Sequence, residues 1–336
     1  MQKVTLKDIA RETGYSTNTV SRALKDKDDI SESTKSHIKD VARRMGYIPN
    51  NVASSLRSGL TKTIAVILSD ISNPYFSIMA KHIEIAARKY DYTIFVINSG
   101  EDYYLEEKAI YSALSKRVDG IILFPVQEDN KDIKFLKESQ IPFVILGRYF
   151  EDIQTDYLIT DDVKGGYLAT KHLIECGRER ILFLNGPSYV SCARQREKGY
   201  MQALKEKGIE VDPDLLKRVS ITTGSAYSAV KEVLKSNLKF SGIFAFSDVI
   251  AWEVAYALEQ SGINIPEDVG LVGYDNIQSQ LYFPYEITTV DTSKEIMAYK
   301  AVEVLMRRIG NSLKDDEYHQ EILDTELIIR GSSKDI

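Results

Sequence analysis

The chain has 336 residues, of which 27% are charged and 43% hydrophobic, with a formal net charge of −6. That length allows two or three domains with proper cores. No stretch approaches the ~18 uninterrupted apolar residues of a membrane-spanning helix, and no apolar signal-peptide core precedes the first helical pattern, so a cytoplasmic protein is expected. The only cysteines, Cys176 and Cys192, lack metal-ligand spacing and read as free thiols of a reducing compartment. Charge is unevenly spread. Residues 1–62 hold 12 Lys+Arg against 7 Asp+Glu, leaving 31 against 42 for the rest. A basic head on an acidic body is suited to meeting an anion such as nucleic acid, although a solvated charged surface would give the same imbalance.

In chain order, Thr5 is a plausible N-cap for a first helix carrying Leu6, Ile9 and Ala10 at helical spacing. Gly14 supplies a turn, and Ser16 caps a second helix, "TNTVSRAL", with Val20, Ala23 and Leu24 inward. Its outward face is Thr17, Asn18, Ser21, Arg22 and Lys25. A third helix runs from Ser31 or Ser33 to Met45, with Ile38, Val41, Ala42 and Met45 inward. Asn and Arg can bind base edges and hydroxyls can reach phosphates, which fits a helix–turn–helix; an ordinary polar helical hairpin would show the same spacing.

The ordered pattern "VTLKDIARETGYSTNTVSRAL" followed by "ISESTKSHIKDVARRMGYIPN" resembles the DNA-binding head of the lactose-repressor (LacI/GalR) family. The resemblance implies that Thr17, Asn18 and Arg22 read bases and that Thr5, Ser16, Thr19 and Ser21 touch phosphates. Lys25 departs from the asparagine of many relatives. The connector "NNVASSLRSGLT" has too little apolar content for a stable helix alone. By the same resemblance it is a hinge that becomes helical on operator DNA, with Leu56 as the wedge that opens a minor-groove step.

From residue 63 short apolar runs recur: "TIAVILS" (63–69), "YTIFVIN" (92–98), "DGIILF" (119–124), "PFVILG" (142–147), "RILFLN" (180–185), "KRVSIT" (217–222), "GIFAFS" (242–247) and "VGLVGYD" (269–275). Amphipathic stretches separate most of them, such as "FSIMAKHIEIAARKY" with Met79, Ile83, Ala86 and Tyr90 on one face. Continuous apolar strands alternating with helices predict an α/β core of two doubly wound parallel-sheet subdomains. Ligands of such sheets collect beyond the carboxyl ends of strands. The residues found there are Ser72, Asn73, Tyr75 and Phe76, then Arg148, then Arg194 and Arg196, then Asp248, and finally Asp275 and Asn276. Guanidiniums and carboxylates take paired hydroxyls while a ring covers a sugar face, so a polyhydroxylated ligand is expected.

The "R-x-x-G-[YFW]" pattern at Arg196–Tyr200 and the "V-G-[YF]-D" pattern at Val272–Asp275 extend the resemblance to the family's effector-binding core, which is similar to periplasmic sugar-binding proteins. The implied organisation is a head at 1–48, a hinge at 49–60 and an effector-binding and dimerisation core at 61–331. Its N-subdomain comprises about 61–159 and 291–318, and its C-subdomain about 160–290 and 319–331. In the family the arginine and aspartate of those patterns contact effector. Ile221 stands near an aromatic position of relatives, leaving stacking to Tyr75, Phe76 or Trp252, and Ser247 replaces an asparagine of some sugar-responsive members. Val304 stands where phosphocarrier-docking members carry arginine. The tail "RGSSKDI" holds no leucine heptads for a tetramerising coiled coil.

Phosphate-loop, nucleophile-elbow, zincin and dinucleotide motifs are absent, and His37, His82, His172 and His319 are scattered. No catalytic residue, metal or cofactor is therefore expected. The expectation is a homodimeric regulator, a repressor of carbohydrate-utilisation genes, that binds near-palindromic operator DNA and a small effector such as a sugar. A purine- or other metabolite-responsive corepressor-type regulator is the alternative, and a sugar-modifying enzyme with a DNA-binding head the remote one.

Overall fold

The computed structural model describes residues 4–48, 59–221, 224–236, 238–279, 286–313 and 317–334. Two compact units emerge, Met1–Thr61 and Lys62–Ile336.

The first unit holds α1 (Leu6–Thr13), α2 (Thr17–Ala23) and α3 (Glu32–Arg44). Each starts where a hydroxyl can satisfy orphan backbone N–H groups. Thr5 forms a reciprocal capping box with Asp8, Ser16 accepts from the Thr19 N–H, and Ser31 accepts from the Thr34 N–H. Ser31 rather than Ser33 therefore opens α3. Ile9, Val20, Ala23, Ile38, Val41 and Ala42 form the buried centre, with Leu24 and Met45 half-buried around it. The connector residues 49–58, including the expected wedge Leu56, lie outside the described residues.

The second unit contains two six-stranded sheets. The first comprises β1 (Thr63–Leu68), β2 (Thr93–Asn98), β3 (Gly120–Leu123), β4 (Phe143–Leu146), β5 (Tyr157–Thr160) and β11 (Gln320–Leu323), in the order β11-β5-β4-β3-β1-β2 and wholly parallel. The second comprises β6 (Ile181–Asn185), β7 (Leu216–Arg218), β8 (Gly242–Ala245), β9 (Gly270–Asp275), β10 (Thr288–Asp291) and β12 (Glu326–Ile328), in the order β12-β10-β9-β8-β6-β7. Among these described strands only β12 runs antiparallel to its neighbour.

Strand periodicity explains the layering. On β1, Ile64, Val66 and Leu68 pack with α4 (Pro74–Arg88) and α11 (Lys294–Ile309). Ala65 and Ile67 face the opposite way, onto α5 (Tyr103–Ser115) and α6 (Lys131–Glu138). Both faces are covered, so the strand reads as continuous apolar sequence. In the second sheet, α7 (Asp162–Glu175) and α8 (Ser191–Glu206) cover one face, while α9 (Ser225–Lys235) and α10 (Asp248–Glu259) cover the other.

The eight apolar runs correspond to β1–β4 and β6–β9, with β7 shortened to three residues. β5, β10, β11 and β12 are not among the predicted runs, and they set where the chain changes sheet. It crosses after Thr160, after Asp291 and after Leu323. The third crossing was expected at 318/319; β11 moves it because residues 320–323 pair with β5 in the first sheet. Tyr90, expected on the buried face of α4, is exposed beyond the end of that helix. Val304 is buried between α11 and the first sheet, so it is not a surface position from which docking can be judged.

Helices α7 and α8 approach backbone to backbone. A Cβ on Gly199 would lie 2.1 Å from the Val163 carbonyl oxygen and 2.5 Å from the Tyr167 nitrogen, and one on Gly166 would lie 2.2 Å from the Arg196 carbonyl oxygen. No flexible side chain can yield at these contacts, so the helices would have to separate. Gly199→Ala is expected to cost about 3 kcal/mol or more, the upper end of ordinary overpacking. The urea midpoint at unchanged m-value measures this, and an unchanged midpoint would refute the close contact.

Candidate functional site

A cavity lies beyond the carboxyl ends of strands from both sheets. Asn73 accepts from the Tyr75 N–H at 3.0 Å and Pro74 occupies the first position of α4, fixing the entry angle of that helix. Tyr75 and Phe76 consequently enter the cavity wall, where they meet Phe124 edge-to-face at centroid distances of 6.4 and 5.4 Å. Phe246 and Ile221 contribute apolar wall from the second sheet's loops. Thr160, Ser247 and Thr292 add hydroxyls.

Arg148 follows β4 and is almost fully buried. Its Nη2 donates to Glu101 Oε1 at 2.7 Å and its Nη1 to Glu101 Oε2 at 3.0 Å, while Nη1 also donates to the carbonyls of Pro125 and Val126. Burial opposes its charge, but Glu101 more than offsets this and holds the guanidinium above its ordinary pKa. Arg196 projects from α8. Its Nε donates to Asp162 Oδ1 at 2.8 Å, its Nη1 donates to the Phe246 carbonyl, and its guanidinium lies 3.5 Å from the Tyr274 ring centroid. Burial again opposes the charge and Asp162 restores it.

Asp275 ends β9 with φ +100°, followed by Asn276 at φ +49°. Such backbone costs on the order of 1–3 kcal/mol unless its surroundings hold it. Here Asn276 donates to Asp291 at 2.9 Å and accepts from Arg330 at 2.6 Å, while the Lys294 ammonium donates to the Asp275 carbonyl oxygen. The strained turn delivers the Asp275 carboxyl to the cavity, where burial pushes its pKa up to about 8 despite Arg196.

Of the residues singled out in the sequence, Asn73, Tyr75, Phe76, Arg148, Arg196 and Asp275 line this one cavity. Ser72 is not among them; it is exposed and bonded to Asp70. Asp248 is fully buried outside the lining. It accepts from the Thr289 hydroxyl at 2.6 Å and the Ile277 N–H at 2.9 Å, which fastens the loop after Asp275, and burial pushes its carboxyl up to about 6. Arg194 bonds the Ser188 and Tyr189 carbonyls, Asn276 braces the turn, and Trp252 packs in the second lobe's core. Phe124, Phe246, Thr160, Thr292 and Cys192 were missed. Phe124 closes the run "DGIILF" and Phe246 is the last residue but one of "GIFAFS", so the strand-end rule already contained them. His172 bonds Ser333 at 2.7 Å, as a helix-face residue would.

Beside the cavity the two lobes are hydrogen-bonded directly. α8 lacks a side-chain cap of its own, and the Ser191 N–H donates instead to Gln127 Oε1 at 2.8 Å, across the cleft. Gln127 donates to the Tyr149 carbonyl at 2.8 Å, and the Tyr149 N–H donates to Ser191 Oγ at 3.1 Å.

In the head, Thr17 and Asn18 are exposed on the first turn of α2, while Thr19 and Ser21 are half-buried. The Ser16 and Thr19 hydroxyls bond each other at 2.8 Å and Thr5 serves the α1 cap. Arg22 is held by Asp29 through Nε at 2.8 Å and Nη2 at 2.6 Å, a two-point geometry that orients the guanidinium. None of the described helices is long and apolar enough to cross a membrane, and no group of metal-ligating side chains occurs among the described residues.

A helix–turn–helix head followed by a two-lobed core with a cavity at its strand ends defines a ligand-responsive DNA-binding regulator. Residues 5–50 match the family model of bacterial regulatory proteins of the lacI family, and residues 61–329 match that of periplasmic binding proteins and the sugar-binding domain of the LacI family. The chain belongs to the LacI family of transcriptional regulators, whose members regulate transcription rather than catalyse reactions. It is 31% identical over 336 residues, 99% of each chain, to the HTH-type transcriptional repressor PurR of Photobacterium profundum. Its structure is similar to that of the transcriptional regulator CelR in complex with cellobiose, at 27% identity and TM-score 0.74 over 98% of this chain and all of the other. The fold also matches the lac repressor dimer bound to operator and the anti-inducer ONPF, at 23% identity and TM-score 0.83 over 99% of each chain.

The bond from Ser191 to Gln127 is a helix cap supplied by the other lobe. Gln127→Ala is expected to lower core stability by about 1 kcal/mol. Amide exchange in the first turn of α8 should accelerate while its last two turns stay protected. Unchanged exchange at Ser191 would show that the cleft does not depend on this bond.

Proposed function

We propose that the protein is a cytoplasmic, homodimeric repressor of carbohydrate-utilisation genes whose effector is a small polyhydroxylated molecule bound in the cleft. The observation that carries this reading is the cavity itself. Arg148, Arg196 and Asp275 sit beside an aromatic wall, with hydroxyl and amide groups of Asn73, Thr160, Ser247 and Thr292 around them. Such a set offers paired hydrogen bonds to vicinal hydroxyls and a flat surface for the apolar face of a pyranose. A flat heterocycle would use the same wall, so a purine is the competing ligand, in keeping with the PurR relative.

In this reading Thr17, Asn18 and Arg22 select bases, and Thr5, Ser16, Thr19 and Ser21 hold phosphates of each half-site. Two heads of a dimer read a near-palindromic operator, and Leu56 of each hinge opens the central step. The domain division is a head at 1–48, a hinge at 49–60, and a core whose lobes exchange chain after residues 160, 291 and 323. Effector bound to both lobes changes their relative pose and thereby the spacing of the paired hinges. An inducer binds the DNA-free pose more tightly and a corepressor the DNA-bound one.

Operator titration with cellobiose, monosaccharides, hypoxanthine and guanine, with thermal shift in parallel, tests the effector. A sugar that shifts both melting and operator affinity supports the reading, whereas a response to purines alone replaces it. Arg22→Ala is expected to weaken operator binding by about 1–3 kcal/mol and to relax preference at a single base pair. Equal loss across all sequences would make Arg22 a phosphate contact instead.

A further inference from the structure

The charge arrangement around the cavity narrows the effector further, resting on the reading that a small molecule binds there. Among the described residues three charged side chains line it: Arg148, Arg196 and Asp275. Each guanidinium already owns a carboxylate with little exposure. Glu101 takes Arg148 through two bonds, at 2.7 and 3.0 Å, and Asp162 takes Arg196 at 2.8 Å. Both carboxylates are at most about one-eighth exposed, so solvent screens neither pair. A further buried cation, Lys294, gives its ammonium to the Asp275 backbone carbonyl and to Asp291 Oδ1 at 3.3 Å, and does not line the cavity. Asp275 itself has no guanidinium or ammonium bonded to its carboxyl among the described residues, and burial holds its pKa up. The described lining therefore has no positive charge to spare, and its one uncompensated ionisable group is an acid.

We propose that the effector is an uncharged, unphosphorylated sugar, and that the paired arginines recognise its hydroxyls while rejecting its phosphorylated counterpart. A phosphate dianion in this cavity would be desolvated with no free cation to meet it. Recognition of a phosphorylated ligand requires the opposite construction, guanidiniums or ammoniums facing the ligand without internal carboxylate partners. In a reaction sequence, the signal molecule is one that has not yet met a phosphoryl-transfer step. It is the free product of uptake or glycoside hydrolysis and the substrate of the kinase that follows.

The test is calorimetric titration of the full-length protein with matched pairs: glucose and glucose 6-phosphate, ribose and ribose 5-phosphate, cellobiose and its 6-phosphate. At least one neutral sugar is expected to bind, with its phosphorylated twin at least 100-fold weaker. In Glu101→Gln, which releases the charge of Arg148 towards the cavity, the affinity of the phosphorylated twin relative to its neutral parent should rise at least tenfold. A twin that binds wild type as tightly as its parent overturns the inference and leaves the sugar reading standing. Should Glu101→Gln retain its melting profile yet give the twin no gain, the charge argument is overturned. If no sugar of either kind binds, the reading itself fails and the inference falls with it. The wild-type comparison decides the matter even if the variant does not fold.

Discussion

The contact on which the second lobe and its cavity depend is the approach of α7 to α8 at Gly166 and Gly199, where backbone meets backbone. That closeness lets Arg196, near the middle of α8, reach Asp162 at the first position of α7. Asp162 is also the first helical residue after the chain leaves the first sheet, so helix crossing, lobe boundary and cavity wall meet in one ion pair. A buried pair of this kind is weak evidence for stability, since a well-packed apolar substitute is often as good, yet removing one partner costs about 3–5 kcal/mol. Its effect is positional. Between Asp162, the Phe246 carbonyl and the Tyr274 ring, the guanidinium has one place to be.

The same logic recurs on the opposite wall. Asp275 lies on a strained turn, and it is held by groups from several elements: Asn276 beside it, Asp291 and Lys294 around the second crossing, and Arg330 near the C-terminus. Asp248, read in the sequence as a ligand contact, braces this turn through Ile277 and Thr289 instead. Strain placed at the cavity is thereby carried by residues that also tie the second crossing to the last segment of the chain. The residues of the second crossing and the Asp275 turn consequently share one set of hydrogen bonds.

The order of elements in the head, the caps Thr5, Ser16 and Ser31, and most central strands were legible because hydroxyls before amphipathic runs and long apolar stretches have a direct physical cause. β5 and β10 were not, because "YLIT" and "TTVD" are short and carry polar threonines, and β11 and β12 lie at sheet edges where "QEIL" and "ELI" are incompletely buried. Missing the edge strand β11 is what misplaced the third crossing. At the site, the charged residues Arg148, Arg196 and Asp275 that follow recognised strands were found, Phe124 and Phe246 at such ends were passed over, and Thr160 and Thr292, at the ends of unrecognised strands, were not seen. Asp248 was misassigned because position along the chain marks a strand end but not the direction of a side chain. Glu101 and Asp162, which set the charge of the cavity, gave no signal at all, since each becomes meaningful only beside its arginine.

The cross-cleft bonds bear on how a small ligand can govern a large object such as DNA. Gln127, Tyr149 and Ser191 join the lobes through protein atoms, and these bonds favour the pose in which they form. A ligand alters that bias only by the difference in its affinity for the two poses, however tightly it binds to either. If lobe pose sets operator affinity, as proposed, contacts confined to one lobe do nothing for regulation, and control comes from groups that face each other across the cleft. Arg148 and Tyr75 belong to one lobe, Arg196 and Asp275 to the other. A polyol whose hydroxyls engage both sides at once is strongly sensitive to their separation, since hydrogen bonds weaken steeply with distance and angle. Neutral hydroxyls, though individually modest, are thus better sensors of lobe geometry than a single long-range charge would be.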